Sequence, residues 1–322
     1  LRYDAKGKSD VLSYWVLILV LGFLVALPLI TAYIFSNTVL YSRRQPIVRT
    51  PREYGMAYED IQFKSSDGLV LKGWFIPVAG ASDKAIIMTH PLPFNRHGFI
   101  AKNQGFPPLC NIDVDLLKMA HALHQASYPV LMFDFRNHGE SASGLTGVGL
   151  NEYQDVLGAI AYLGQRPDLV NPKLGFVSFC MGANSTIIAL SKGAEQVQAI
   201  KFLVAVQPVS AAVFVRQYLR AEYTPMSVFL AAIVDWFVQR RGGYALKAMS
   251  PLPYVKDIKV PTLYIQARAD RWTTVADTQS FYDATLSEKE LWWIEGITRR
   301  FDAYNYVGDH PERILEFVKT HF

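Results

Sequence analysis

With 322 residues, 51% of them hydrophobic and 13% aromatic, the chain carries enough apolar surface to bury the core of one large α/β domain, which excludes a disordered protein. Its 32 basic and 28 acidic residues leave a formal charge of +4 without a long Lys/Arg block, so it lacks the electrostatic footprint of a nucleic-acid binder. Two cysteines, Cys110 and Cys180, are too few for a disulfide framework or a Cys-rich zinc cluster. With no phosphate-binding loop, dinucleotide fingerprint or clear metal cluster, no cofactor is expected.

Residues 1–42 form the first unit. Val11 to Ser42 contains no Asp, Glu, Lys, Arg or His, and the stretch from about 11 to 35 supplies the roughly 20 apolar residues that a helix needs to cross a bilayer. Pro28 is tolerated in such a helix, and Tyr14, Trp15, Tyr33 and Tyr41 lie towards its ends, where amphipathic rings favour the headgroups. A secretory signal peptide is the alternative, but its apolar part is shorter and ends at a small-residue cleavage site. The expected partner is thus a lipid bilayer spanned once. Arg2, Lys6 and Lys8 precede the helix and Arg43, Arg44, Arg49 and Arg52 follow it, a near balance that leans slightly to a cytoplasmic domain.

A connector over 43–57 contains Pro46 and Pro51, and alternation then begins. Tyr58–Phe63 and Leu69–Pro77 read as a hairpin turning at Ser65-Ser66-Asp67-Gly68. Short apolar runs then alternate with helical patterns: Ala85–Thr89, Val114–Gln125, Pro129–Phe135, Tyr153–Leu163, Leu174–Phe179, Ala183–Leu190, Phe202–Val206, Pro261–Ala267 and Glu290–Glu295. Continuous apolar strands separated by helices predict a doubly wound, mostly parallel α/β sheet over 58–322. Between Val206 and Pro261 lie roughly 50 residues, long enough for a helical cap at about 208–250 that would favour acyl or lipid-like substrates. An ordinary crossover with a loop is the plainer reading of part of that interval.

Phe176-Val177-Ser178-Phe179-Cys180-Met181-Gly182-Ala183-Asn184 follows a predicted strand and opens a helix. A nucleophile exposed on so sharp a turn needs small residues two before and two after it, here Ser178 and Gly182. The helix N-terminus aims its dipole at the Cys180 thiol and favours the thiolate. The competing reading is a buried free cysteine packed as a small apolar side chain.

From about Tyr58 to Phe322 the chain resembles the α/β-hydrolase superfamily, and its cysteine elbow resembles the dienelactone-hydrolase branch. His90-Pro91 resembles the His-Gly oxyanion position, with proline as a departure, and Phe133-Asp134-Phe135-Arg136-Asn137-His138-Gly139-Glu140-Ser141 resembles the Asp-x-Arg-Gly-x-Gly-x-Ser loop. Ser250-Pro251 through Val260-Pro261 resembles the lead-in to the acid-bearing strand. The resemblance implies Cys180 as nucleophile and Asp270 as acid, with Asp277 in reserve, and oxyanion donors at Met181 and in His90, Pro91 and Leu92.

The histidine that should follow the last strand is replaced by Arg299-Arg300, and arginine cannot serve as a general base. Either arginine would instead stabilise a thiolate or bind an anionic substrate. His310 is the nearby histidine; it either completes a triad by a fold-back of its loop or is a surface residue. His90 is an outside candidate, His138 belongs to a structural loop, and His97, His121, His124 and His321, like Cys110, have no motif context. Two functions follow. One is a hydrolase or acyltransferase using a cysteine on an ester, lactone or thioester. The other is a degenerate accessory or binding subunit of a membrane assembly, since a fold alone does not carry activity.

Overall fold

The computed structural model describes residues 4–103, 111–222 and 227–322; Cys110 and Met226 lie outside them. Helix α1 (Asp4–Leu40) leads to the hairpin β1 (Glu59–Lys64) and β2 (Val70–Ile76), in register from Glu59 opposite Phe75 to Lys64 opposite Val70. Its turn forms where Ser65 Oγ accepts from the Leu69 amide at 2.8 Å and Gly68 takes a φ of 93°, which costs glycine no Cβ clash.

The chain continues through β3 (Ser82–Thr89), the two-residue strands β4 (Gly98–Phe99) and β5 (Val114–Asp115), α2 (Leu117–Gln125), β6 (Val130–Phe133) and α3 (Tyr153–Gly164). The run from Val114 that the sequence reads as one helix is thus a short strand followed by a helix. Next come β7 (Leu169–Phe179), α4 (Met181–Lys192) and β8 (Ile200–Val206). The cap helices α5 (Ala211–Glu222) and α6 (Ser227–Arg240) follow, then β9 (Thr262–Ala267), α7 (Val275–Ala284), β10 (Lys289–Ile294), α8 (Arg300–Asp309) and α9 (Glu312–His321).

Eight strands form one sheet in the order β1-β2-β6-β3-β7-β8-β9-β10. β1, β2 and β6 pair antiparallel in sequence along one edge, and all remaining pairings are parallel. The inner strands read as unbroken apolar runs because both faces are covered, one by a core built on Leu131, Phe133, Phe176 and Leu203 and the other by one built on Met132, Val177, Phe179 and Val204. After β3 the chain winds to β6 on one side, then returns to β7 on the other. This reversal opens a crevice at the carboxyl ends of β3 and β7, the place where doubly wound sheets bind ligands.

Helix α1 extends five residues beyond the expected 35. Ser13 to Leu27 are exposed on every side, whereas Pro28, Ala32, Ser36, Val39 and Leu40 turn one buried stripe onto the cap. The facing stripe on α6 is Leu230, Val234 and Val238, at the i, i+4 spacing that places residues on one side of a helix.

Candidate active site

At the end of β7 the chain turns into α4 through Cys180, which adopts φ 50° and ψ −111°, a conformation that L residues rarely hold. The bend is pinned at both ends. Cys180 N donates to Val206 O at 2.8 Å, and its carbonyl accepts from Asn184 N at 3.0 Å. A side chain at Gly182 would run into Thr89 Oγ1 and the His90 carbonyl, which is the physical reason for a glycine two residues after the cysteine. Two residues before it, Ser178 Oγ shares a hydrogen bond with Thr186 Oγ1 at 2.9 Å. The expected strand–elbow–helix is therefore present, and Met181 is the first residue of α4, where amides have no partner within the helix.

Asp270 follows β9 and is buried. Its Oδ1 accepts from Trp272 N at 2.9 Å and its Oδ2 from Thr273 Oγ1 at 3.1 Å, so the carboxylate is held in one orientation. Facing it is an arginine. Arg300 Nη1 donates to Asp270 Oδ2 at 2.7 Å, with both side chains almost wholly removed from solvent. Arg300 Nε donates to Tyr304 Oη at 2.9 Å, and Nη2 donates to the carbonyl of Gln207, whose own Nε2 returns a bond of 2.9 Å to Arg300 O. Cys180 and Arg300 line the same cleft. Burial opposes the charge on Arg300, but Tyr304, Cys180 and Asp270 around it outweigh that and hold its pKa above the ordinary value. Burial likewise raises Tyr304 and keeps its phenol neutral. Where the resemblance implies a histidine base, the chain thus holds a permanent cation tied to Asp270.

The two adjacent arginines have separate fates. Arg299 points outward and pairs with Asp302 at 2.6 Å, away from the thiol. The structure does not bring His310 to Cys180. Residues 300–309 form α8 instead of a loop that folds back, so His310 caps the opposite end, about 15 Å along the helix from Arg300 at 1.5 Å per residue. There it is exposed, with its ring 4.5 Å from that of Tyr306.

His90 is engaged on both sides. Its Nδ1 lies 2.9 Å from Pro91 O, which fixes the proton there, and Nε2 accepts from Phe135 N at 3.0 Å. Burial lowers its pKa to about 3, so it is a neutral structural residue. His138, its ring centroid 5.0 Å from that of His90, is held by burial at about 3 as well.

Pro91 has no amide hydrogen to donate, and Leu92 lines the same cleft as Cys180. Asp277 accepts from Ser210 N at 2.9 Å and so fixes the entrance to α5. The loop after β6 is structural: Asp134 pairs with Arg96, and Arg136 bridges Asp155 at 2.7 Å and Asp67 at 2.8 Å.

A cleft of about 70 Å³ opens over Cys180. Arg300 and Phe301 form part of its lining, Phe214 and Val215 of α5 cover it, and Phe35 and Val39 from the end of α1 close one wall. The part played by α1 is absent from the sequence reading. Phe35 reaches the cap through a ring contact with Tyr218 at 5.2 Å, and Tyr218 in turn meets Trp272 at 5.1 Å.

The sheet order and the strand–elbow–helix at Cys180 match the α/β-hydrolase fold. The chain is 27% identical over 310 residues to the Bacillus subtilis (strain 168) protein YqkD, covering 94% of this chain and 92% of that one. Among solved structures it is similar to the Pyrococcus furiosus esterase Pf2001, with a TM-score of 0.66 and 23% identity over 88% of this chain and 97% of that one. It is similar also to the α/β hydrolase GrgF from Penicillium sp. sh18, with a TM-score of 0.59 and 17% identity over 83% of this chain and 99% of that one. No protein-family model matches the chain. The similarity to these structures is one of fold.

Proposed function

We propose that this chain is a membrane-tethered hydrolase or acyltransferase in which Cys180 attacks the carbonyl carbon of an ester, lactone or thioester. The observation that carries the proposal is a cysteine at a strained elbow that lines an apolar cleft together with Arg300. The thiolate is the attacking species. Attack forms the carbon–sulfur bond, and the tetrahedral oxyanion is met by the amides of Met181 and Leu92. The bond to the leaving oxygen or sulfur then breaks, and the leaving group departs with the proton that the thiol gave up. An acyl-thioester at Cys180 remains, to be released by water, or by a thiol or amine acceptor that forms the new acyl bond.

Release is where Arg300 matters. It accepts no proton, so water is not activated by the Arg300–Asp270 pair, and transfer to a more nucleophilic acceptor gains over hydrolysis. The same substitution favours a second reading, an accessory or binding subunit of a membrane assembly that has lost turnover. In either case α1 is the tether, and Arg240 and Arg241 join Arg43 and Arg44 near its domain end, which supports a cytoplasmic domain. Kinetics with p-nitrophenyl acetate test the proposal. A burst of one equivalent followed by slow turnover, lost in Cys180→Ala, is expected; equal rates for wild type and Cys180→Ala would leave the accessory reading.

A further inference from the structure

We infer that α6 is embedded in the bilayer beside the end of α1, and that the acyl donor of Cys180 is a membrane amphiphile whose chain stays among the lipid tails while its carbonyl enters the cleft. The donor half of this inference rests on the proposed role of Cys180; the seating of α6 does not.

The contacts between α1 and α6 advance in step. Tyr33 meets Phe237 with ring centroids 5.5 Å apart, Asn37 Oδ1 accepts from Arg241 Nη2 at 2.9 Å, and Leu40 lies against Gly243. The two helices therefore run in the same direction. By this offset the start of α6, at Ser227, is level with about residue 23 of α1, some 20 Å from the Arg241 level at 1.5 Å per residue. That stretch of α1 is exposed and apolar, as a bilayer span must be.

The outward face of α6 matches it. Val228, Phe229 and Trp236 are 70%, 61% and 55% exposed. The single charge from Val228 to Gln239 is Asp235, whose carboxylate accepts from Leu246 N at 2.7 Å. At the other end Arg241 sits over the rings of Tyr33 at 4.9 Å and Tyr41 at 5.4 Å, the aromatic and basic belt of a membrane–water interface. This pattern of charge and exposure fits lipid and not a protein neighbour, whose helix would be expected to meet small residues or polar groups.

The cleft over Cys180 lies at that belt, since Phe35, Thr38 and Val39 bracket the residues that Arg241 holds. At about 70 Å³ it is far below the roughly 300–1,000 Å³ of pockets that enclose a whole drug-sized ligand. It has room for the reacting end of an acyl ester or thioester, and the remainder of a long chain has to lie outside, where α1 and α6 border the lipid.

Two measurements on the full chain in phosphatidylcholine–phosphatidylglycerol nanodiscs test this. A spin label at Phe229→Cys, with Cys110→Ser and Cys180→Ser, is expected to be relaxed by oxygen and protected from a water-soluble nickel chelate, with the reverse at Gln239→Cys. Nickel access at Phe229, or protection from both reagents as under a second protein, overturns the seating of α6.

Acylation of Cys180 is then followed by mass with bilayer-dissolved p-nitrophenyl palmitate and with aqueous p-nitrophenyl acetate. The double variant Phe229→Asp, Trp236→Asp is expected to slow palmitoylation about tenfold or more, since charge is expelled from lipid. It should leave acetylation within about twofold, as exposed sites away from a reacting centre do. Acetylation without palmitoylation in the unaltered protein overturns the donor assignment alone, and acylation by neither overturns it together with the role of Cys180. Equal slowing of both donors overturns the lipid route.

Discussion

Arg300 is the residue on which the chemistry turns. Its guanidinium binds a carboxylate, a phenol and a backbone carbonyl while almost wholly buried, and the loss of one partner from such a group leaves the other charge without compensation. Arg300→Ala should therefore lower stability by about 3–5 kcal/mol, measured by denaturant unfolding in detergent, and adding Asp270→Asn should recover part of that loss. Arg300→His has a different outcome. An imidazole at this place, backed by Asp270, supplies the missing base and should accelerate the slow phase of ester turnover by about 10²-fold, within the range of general base catalysis.

His90 and His138 make a prediction of pH dependence. Both are pushed from 6.5 to about 3 by burial, so between those values the unfolded chain binds protons that the folded one refuses. Stability is then full above pH 6.5 and falls as the pH drops towards 3, by up to about 1.4 kcal/mol per pH unit for each histidine. Unfolding free energies measured across that window, with His138→Gln reducing the slope by one proton, check this.

At the scale of elements, the elbow between β7 and α4 is specified locally. The apolar run of β7 ends in small–aromatic–Cys–Met–Gly, and only a residue without Cβ lets α4 approach Thr89 and the His90 carbonyl. Gly182→Ala gains up to about 1 kcal/mol of helix propensity and incurs overpacking of about 1–3 kcal/mol against a carbonyl that cannot swing aside. A net loss of stability and a displaced Cys180 are expected, visible as a lower Tm and slower acylation of the thiol.

This locality is why the elbow, the alternating strands and the helices after Val206 are legible in the sequence. What depends on long-range placement is not. A triad with His310 requires its loop to fold back, and the helix over residues 300–309 places it at the far end from Arg300. Arg299 and Arg300 differ by one position, and only the start of α8 decides that the first faces Asp302 outside and the second Asp270 within. Tyr304, one helical turn after Arg300, joins the site for the same reason, and it was recoverable only once the helix was known.

For the whole molecule, α1 is more than a leader preceding a domain. Its last turns, from Pro28 to Leu40, supply the seam with α6 and one wall of the cleft, so they pack as part of the domain expected from residue 58. Removal of residues 1–42 uncovers Leu230, Val234 and Val238, and the truncated chain should aggregate without detergent in size-exclusion chromatography. The central claim, that Cys180 is the atom-bearing nucleophile of this fold, is tested most directly by mass spectrometry of the intact chain after exposure to a short-chain acyl thioester. The account predicts one acyl mass on the peptide containing Cys180, persisting in buffer and discharged by an added thiol or amine. A Cys180 peptide unmodified while the thioester remains intact would contradict it.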